Sequence, residues 1–175
     1  MSKQHTIPDF ETMARELLAD TVMFAEVTAL NFFKDSFYKQ GWTDGAFIPW
    51  ERRKTGADGR AILTKTGSLR DSLRVLQSSP LQIVFGTSEP YAQIHNEGGT
   101  ITIKPTKKSR KFFWYMFKAT GQSYWKWMAL TKKDTLTIHI PKRQYIGESQ
   151  TLMKQLDEWF LNELQKRFNN VNSKH

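Results

Sequence analysis

Between Pro8 and Gln40 the chain carries one long helical run whose apolar residues spread well beyond a single stripe, and this run limits the fold most. Pro8 suits a first-turn position, the acids Asp9, Glu11 and Glu16 come early, Lys34 and Lys39 come late, and Gly41 follows as a stop. Phe10, Met13, Leu17 and Phe24 fall near one side at helical spacing, and Leu18, Val22, Ala25, Ala29, Phe32 and Phe33 widen the stripe. So broad a face asks for covering on more than one side, which a bend or a partner subunit would supply.

The segments after it are shorter. Residues 41–65 hold glycines, aspartates and a proline with no sustained period, so a long connection is expected there, pinned to the body by Trp50. In TGSLRDS, Thr66 or Ser68 caps a turn of helix carrying Leu69 and Leu73. Val75–Gln77 and Leu81–Gly86 read as a hairpin turning at Ser78-Ser79-Pro80, with Leu81, Ile83 and Phe85 facing one way. Pro90 opens a short helical turn through Tyr91, Ala92 and Ile94 that Gly98-Gly99 ends, and TITIK is an alternating strand. Helices follow at about 108–119 and 124–130, then the strand TLTIHI, which Pro141 stops. Ser149 starts a last helix to about Asn169, burying Leu152, Leu156, Trp159, Phe160 and Phe168. The expected class is α+β: a small antiparallel sheet packed with a long N-terminal helix and a C-terminal helix. A chain of 175 residues fits a single domain over 1–175, with a basic aromatic insertion at about 100–135.

Several function classes drop out. There is no cysteine, which excludes disulfides and thiolate metal sites. MSKQHTIPDFE lacks the apolar core of a secretory signal, and no apolar run reaches membrane-spanning length. Four scattered histidines form no HxH or HExxH pattern; His95 is expected to satisfy a backbone carbonyl, and His139 to sit on a surface strand. No GxSxG, Walker A or GxGxxG stretch occurs, and Gly98-Gly99 leads into a strand rather than a phosphate-cradling helix. Glu89 and Glu97 stand too far apart in sequence to fix a carboxylate pair. Neither an enzyme nor a cofactor is expected.

The net charge of +9 is concentrated in one place. From Gly98 to Lys133 lie nine lysines and arginines and no acidic residue, so the remainder, 17 basic against 17 acidic, sums to zero. The same segment crowds Phe112, Phe113, Trp114, Tyr115, Phe117, Tyr124, Trp125 and Trp127. Interleaved cations and rings suit a single-stranded nucleic-acid platform, here the interval Lys104–Lys133. An apolar patch rimmed by lysines equally suits a protein contact, and tryptophan, tyrosine, phenylalanine and methionine are the types enriched at interfaces. The protein contact is favoured, with Lys107, Lys108, Arg110 and Lys111 facing an acidic partner and Phe112 and Trp114 anchoring beneath. A merely solvated charged face is the plain alternative.

Three stretches in order, ILTKTGSLRDS, FGTSEPYAQIHNEGG and IPKRQYIGES, resemble the phage virion morphogenesis family, which includes the tail-completion proteins of Mu-like and P2-like phages. The matching residues are Thr66, Gly67, Leu69 and Ser72, then Gly86, Tyr91, Ala92, Ile94, His95, Gly98 and Gly99, then Ile140, Pro141, Arg143, Gly147 and Ser149. Phe37, Asp44-Gly45 and Trp50 fit the family's upstream pattern, while the interval Thr100–Thr135 is longer than that pattern. What the resemblance implies is a structural subunit of the virion, built at the head-proximal end of a tail or in the neck after assembly in the host cytoplasm. Its partners would be copies of itself in a ring of about six, together with the tail tube and neck or connector proteins. On that reading Tyr91 and Ile94 pack inward at a shaped corner, and Arg143 pins it by hydrogen bonds to a carboxylate or to backbone carbonyls.

Overall fold

The computed structural model describes residues 9–53 and 59–172, the side chains of 171 and 172 excepted. Helix α1 spans Phe10–Lys39, a rod of about 45 Å. Asp9 caps it by accepting the Thr12 amide at 3.0 Å, while Pro8 lies outside the described residues. The helix does not stop at Gly41. Gln40 ends it in the left-handed region at φ 60°, and its side chain compensates by bonding both the amide and the carbonyl of Ile62.

Gly41 instead opens a hairpin of β1 (Gly41–Asp44) and β2 (Ala46–Pro49), where a Cβ would meet the Phe47 ring at 2.4 Å. The expected structureless connection is therefore partly folded; strands of only four residues, GWTD and AFIP, are too short to show a readable alternation. Helix α2 (Ser68–Asp71) leads into β3 (Arg74–Ser79) and β4 (Gln82–Gly86). The N-cap of α2 is Gly67, although the Thr66 hydroxyl accepts the Ser68 amide at 3.3 Å. The hairpin turns at Pro80-Leu81, so Leu81 is 98 % exposed and does not face inward with Ile83 and Phe85.

Helix α3 (Ala92–Glu97) precedes β5 (Gly99–Ile103), which pairs antiparallel with β6 (Leu136–Ile140), Gly99 opposite Ile140 and Ile103 opposite Leu136. Between them stand α4 (Lys107–Thr120) and α5 (Ser123–Leu130), and α6 (Gln150–Asn172) closes the chain. The sheet content is thus three separate two-stranded antiparallel ladders among the described residues.

The core gathers on the C-terminal half of α1. Ala29, Phe33 and Phe37 pack with Trp42, Trp50, Leu69, Leu73, Ala92, Tyr145 and Leu152. Phe37 meets Trp50 edge-on at 5.5 Å and Tyr145 at 5.0 Å. Burying one such ring contributes about 1.5–3 kcal/mol. The N-terminal half of α1 runs antiparallel to α6: Phe24 stacks on Trp159 at 4.3 Å, and Arg167 bridges Asp20, Glu16 and Glu163. Phe10 and Phe168, expected to be buried, stand exposed at the free helix ends, with mainly each other for cover at 6.3 Å. Leu18 is exposed as well.

Candidate functional site

The three signature stretches meet around the corner that follows α3. Gly98 has φ +74° and ψ 177°, a region open to glycine alone. A Cβ there would lie 2.7 Å from the Lys142 amide nitrogen, so the glycine lets the 140–146 segment cross at contact distance. That segment is then tied down bond by bond. The Arg143 amide donates to the His95 carbonyl at 2.8 Å. Asn96 Oδ1 accepts the amides of Tyr145 at 3.0 Å and Ile146 at 3.1 Å, and the buried Tyr145 hydroxyl donates to the Ala92 carbonyl at 2.9 Å. Burial pushes the Tyr145 phenol up to about 12, so it remains a donor at any ordinary pH.

On the other side of the corner, Arg143 is buried and donates Nε and Nη2 to the Glu51 carbonyl at 3.3 and 3.2 Å, a backbone oxygen rather than a carboxylate. Trp50 Nε1 donates to the Gln144 carbonyl at 2.8 Å, which fixes the expected pin. Ser149 caps α6 by accepting the Leu152 amide at 3.2 Å and donates its hydroxyl to Thr43 O at 2.8 Å. Ser72 joins Thr87 through their hydroxyls, and Leu69 is buried in the core. Pro141 is half-buried, and Gly147, at φ +145°, lies exposed on the surface.

Two residues sit otherwise than expected. Tyr91 is exposed, not packed inward, and meets His95 edge-on at 5.9 Å. His95 does not bond a carbonyl through its ring; Nδ1 is buried without a partner. Burial and then the nearby Arg143 charge lower its pKa, so the ring stays neutral. Asn96, Gln40 and Tyr145 carry much of this corner and went unread in the sequence. An asparagine two residues before a glycine pair was the available signal.

Nearly every hydrogen bond here ends on a backbone group, which makes the corner a latch rather than a reaction centre. Among the described residues no group of three or more His, Asp or Glu could hold a metal ion. No helix is long and apolar enough to cross a membrane.

The second candidate surface is the arm formed by β5, α4, α5 and β6. Helices α4 and α5 pack on each other and touch the body marginally at most. Thr106 caps α4 in a reciprocal box with Ser109. Phe113 and Ala129 are buried between the helices, and Trp125 stacks on Phe113 at 6.0 Å. Arg110 also turns inward, its Nη1 donating to Ala129 O at 2.8 Å and Thr131 O at 2.6 Å. At 100° per residue, Lys107, Lys108, Lys111, Trp114, Tyr115 and Lys118 share the outward arc of α4, all exposed. Phe112 is 51 % exposed on the flank, so the ring anchored beneath is Phe113.

Residues 33–165 match the phage virion morphogenesis family. No curated protein and no solved structure matches the chain.

Proposed function

Because the chain belongs to the phage virion morphogenesis family, a family of structural proteins of the virus particle, we propose that it is a tail-completion or head–tail joining subunit. It acts by protein–protein contact, as a ring of about six copies, meeting the tail tube on one side and neck or connector proteins on the other.

The observation that carries this reading is the apolar surface the chain leaves uncovered on α1. Met23 and Val27, one turn apart, are 61 % and 57 % exposed, with Ala19 one turn before them. Neither α6 nor the β3–β4 hairpin covers this flank. A helix that leaves apolar side chains exposed on a second side offers a partner surface to bury. Two exposed apolar side chains one turn apart, one of them a methionine, a type enriched at interfaces, give a partner apolar area to bury. The latch at the 98–149 corner holds α6 and the hairpins in fixed relation to α1, giving each copy a rigid contact surface.

Replacing Met23 and Val27 by lysine tests the reading. Both side chains are exposed, so the variant keeps its folded circular-dichroism spectrum while the ring, followed by sedimentation equilibrium, dissociates. A double variant that assembles like wild type removes α1 from the interface.

A further inference from the structure

We propose that the β5–β6 arm is a binding site for single-stranded nucleic acid, holding the phosphodiester backbone on the lysines of α4 and stacking bases on Tyr115 and Trp127 without reading sequence. This goes beyond the assembly reading and does not depend on it.

Charge is the first ground. The nine uncompensated cations lie between Gly98 and Lys133, a stretch of the arm that contains no carboxylate. The ion pairs on α1, α2 and α6 include none of its residues. Lys107 and Lys108 occupy the first turn of α4 with no acid beside them, against the sign of the helix dipole. The folded arm is therefore electrostatically unfavourable as it stands, and a bound polyanion reverses that balance. From Lys107 to Lys118 the outward lysines extend over about 16 Å, a line of charge rather than a point.

Chemistry narrows the partner. The arm's one guanidinium is consumed inside it, bonded to Ala129 O and Thr131 O. What remains outside is lysine, a point charge that suits phosphates in any orientation, and no free arginine fork matches a carboxylate. An acidic protein patch offers a few carboxylates at fixed places, whereas a strand offers one charge per nucleotide along its length.

Exposed rings are the third ground. Tyr115 is 66 % and Trp127 70 % exposed, on α4 and α5 respectively, which leaves ring surface open for stacking. A duplex, whose bases are already stacked, has no use for them. The outward arc of α4 carries no Asn, Gln or Arg to read base edges, so binding is indifferent to sequence.

The test uses the full chain and fluorescence anisotropy with a labelled random-sequence single strand, a duplex of equal length, and polyglutamate of matched charge. Single strand should bind most tightly, with log K falling against log salt at a slope of about −3 for four phosphate contacts. Neutralising Lys107, Lys108, Lys111 and Lys118 to Gln should flatten that slope by about 3 units. Tyr115→Ala with Trp127→Ala should weaken single-strand binding about 10-fold or more and leave the slope alone. Far-UV circular dichroism checks the fold; if the quadruple variant unfolds, Lys111→Gln alone should lower the slope by about 0.7. Wild-type binding or slope in the folded lysine variant overturns the proposal. So does equal affinity for polyglutamate, which would assign the face to an acidic protein, or equal affinity for duplex with no effect of the ring variants. Native mass measured in parallel, alone and with isolated tail tubes, separates the two readings: a ring without strand binding removes this inference alone, and strand binding by a chain that stays monomeric in both removes the ring alone.

Discussion

Truncating Asn96 to alanine isolates the latch that joins α3 to the segment leading into α6. Its Oδ1 is the acceptor for two amides, at 3.0 Å from Tyr145 N and 3.1 Å from Ile146 N. Tyr145 is buried, so its orphaned amide costs about 2 kcal/mol, and the half-buried Ile146, which water reaches more easily, about 1 kcal/mol. Alanine is the better helix former by about 0.5 kcal/mol at a position inside α3. The net loss is about 2.5 kcal/mol, which for a chain of this size lowers the melting temperature by about 5–10 °C. Asn96→Asp keeps an acceptor in place and should cost less than about 1 kcal/mol. Thermal melts followed by circular dichroism, at one fixed concentration because assembly shifts apparent stability, read both. An alanine variant that melts within about 1 °C of wild type, or an aspartate variant that loses as much as alanine, refutes the latch.

Gly98→Ala should cost more than about 3 kcal/mol, since strain at φ +74° adds to the clash with Lys142, whereas Gly121→Ala, at φ +67° in open space, should cost about 1 kcal/mol; urea melts rank them. Arg143→Ala should lose about 2–3 kcal/mol through the loss of both guanidinium bonds to the Glu51 carbonyl and of the buried packing, while the exposed Lys142→Ala stays within about 0.5 kcal/mol; equal, small effects in both would deny Arg143 its place. His95 has a folded pKa below its ordinary 6.5, so the unfolded chain binds the proton first. Its contribution is present above that value and lost as pH falls towards the folded pKa; a His95→Gln variant should show a shallower fall in stability below neutral pH, and an unchanged fall would place the effect elsewhere.

How far the sequence alone reached follows from the range of the interactions. Helix α6 was legible from apolar residues at helical spacing, and α1 from its early acids, late lysines and long uninterrupted apolar face, all of them local signals. Their end residues were not, since Phe10 and Phe168 are apolar by type yet exposed by position at the free ends of the pair. The β1–β2 hairpin was missed because its four-residue strands are held by long-range partners: Ser149 at Thr43, Gln150 at Asp44 and Thr151 at Gly45. Gly98 could be read as a turn, but Asn96 acts on residues 49 and 50 positions away, a pairing no local pattern carries. In the arm, charge and rings were plain from composition. Which of them face outward depended on the helix phase, and that phase drew Arg110 inward and left Phe112 out.

Native mass spectrometry of the purified chain, alone and with isolated tail tubes, decides whether the copies close into a ring. A closed assembly of about six copies is expected, in solution or on the tube, and the Met23→Lys, Val27→Lys variant should not form it. A strictly monomeric mass at high concentration, with no added mass on the tubes, contradicts it.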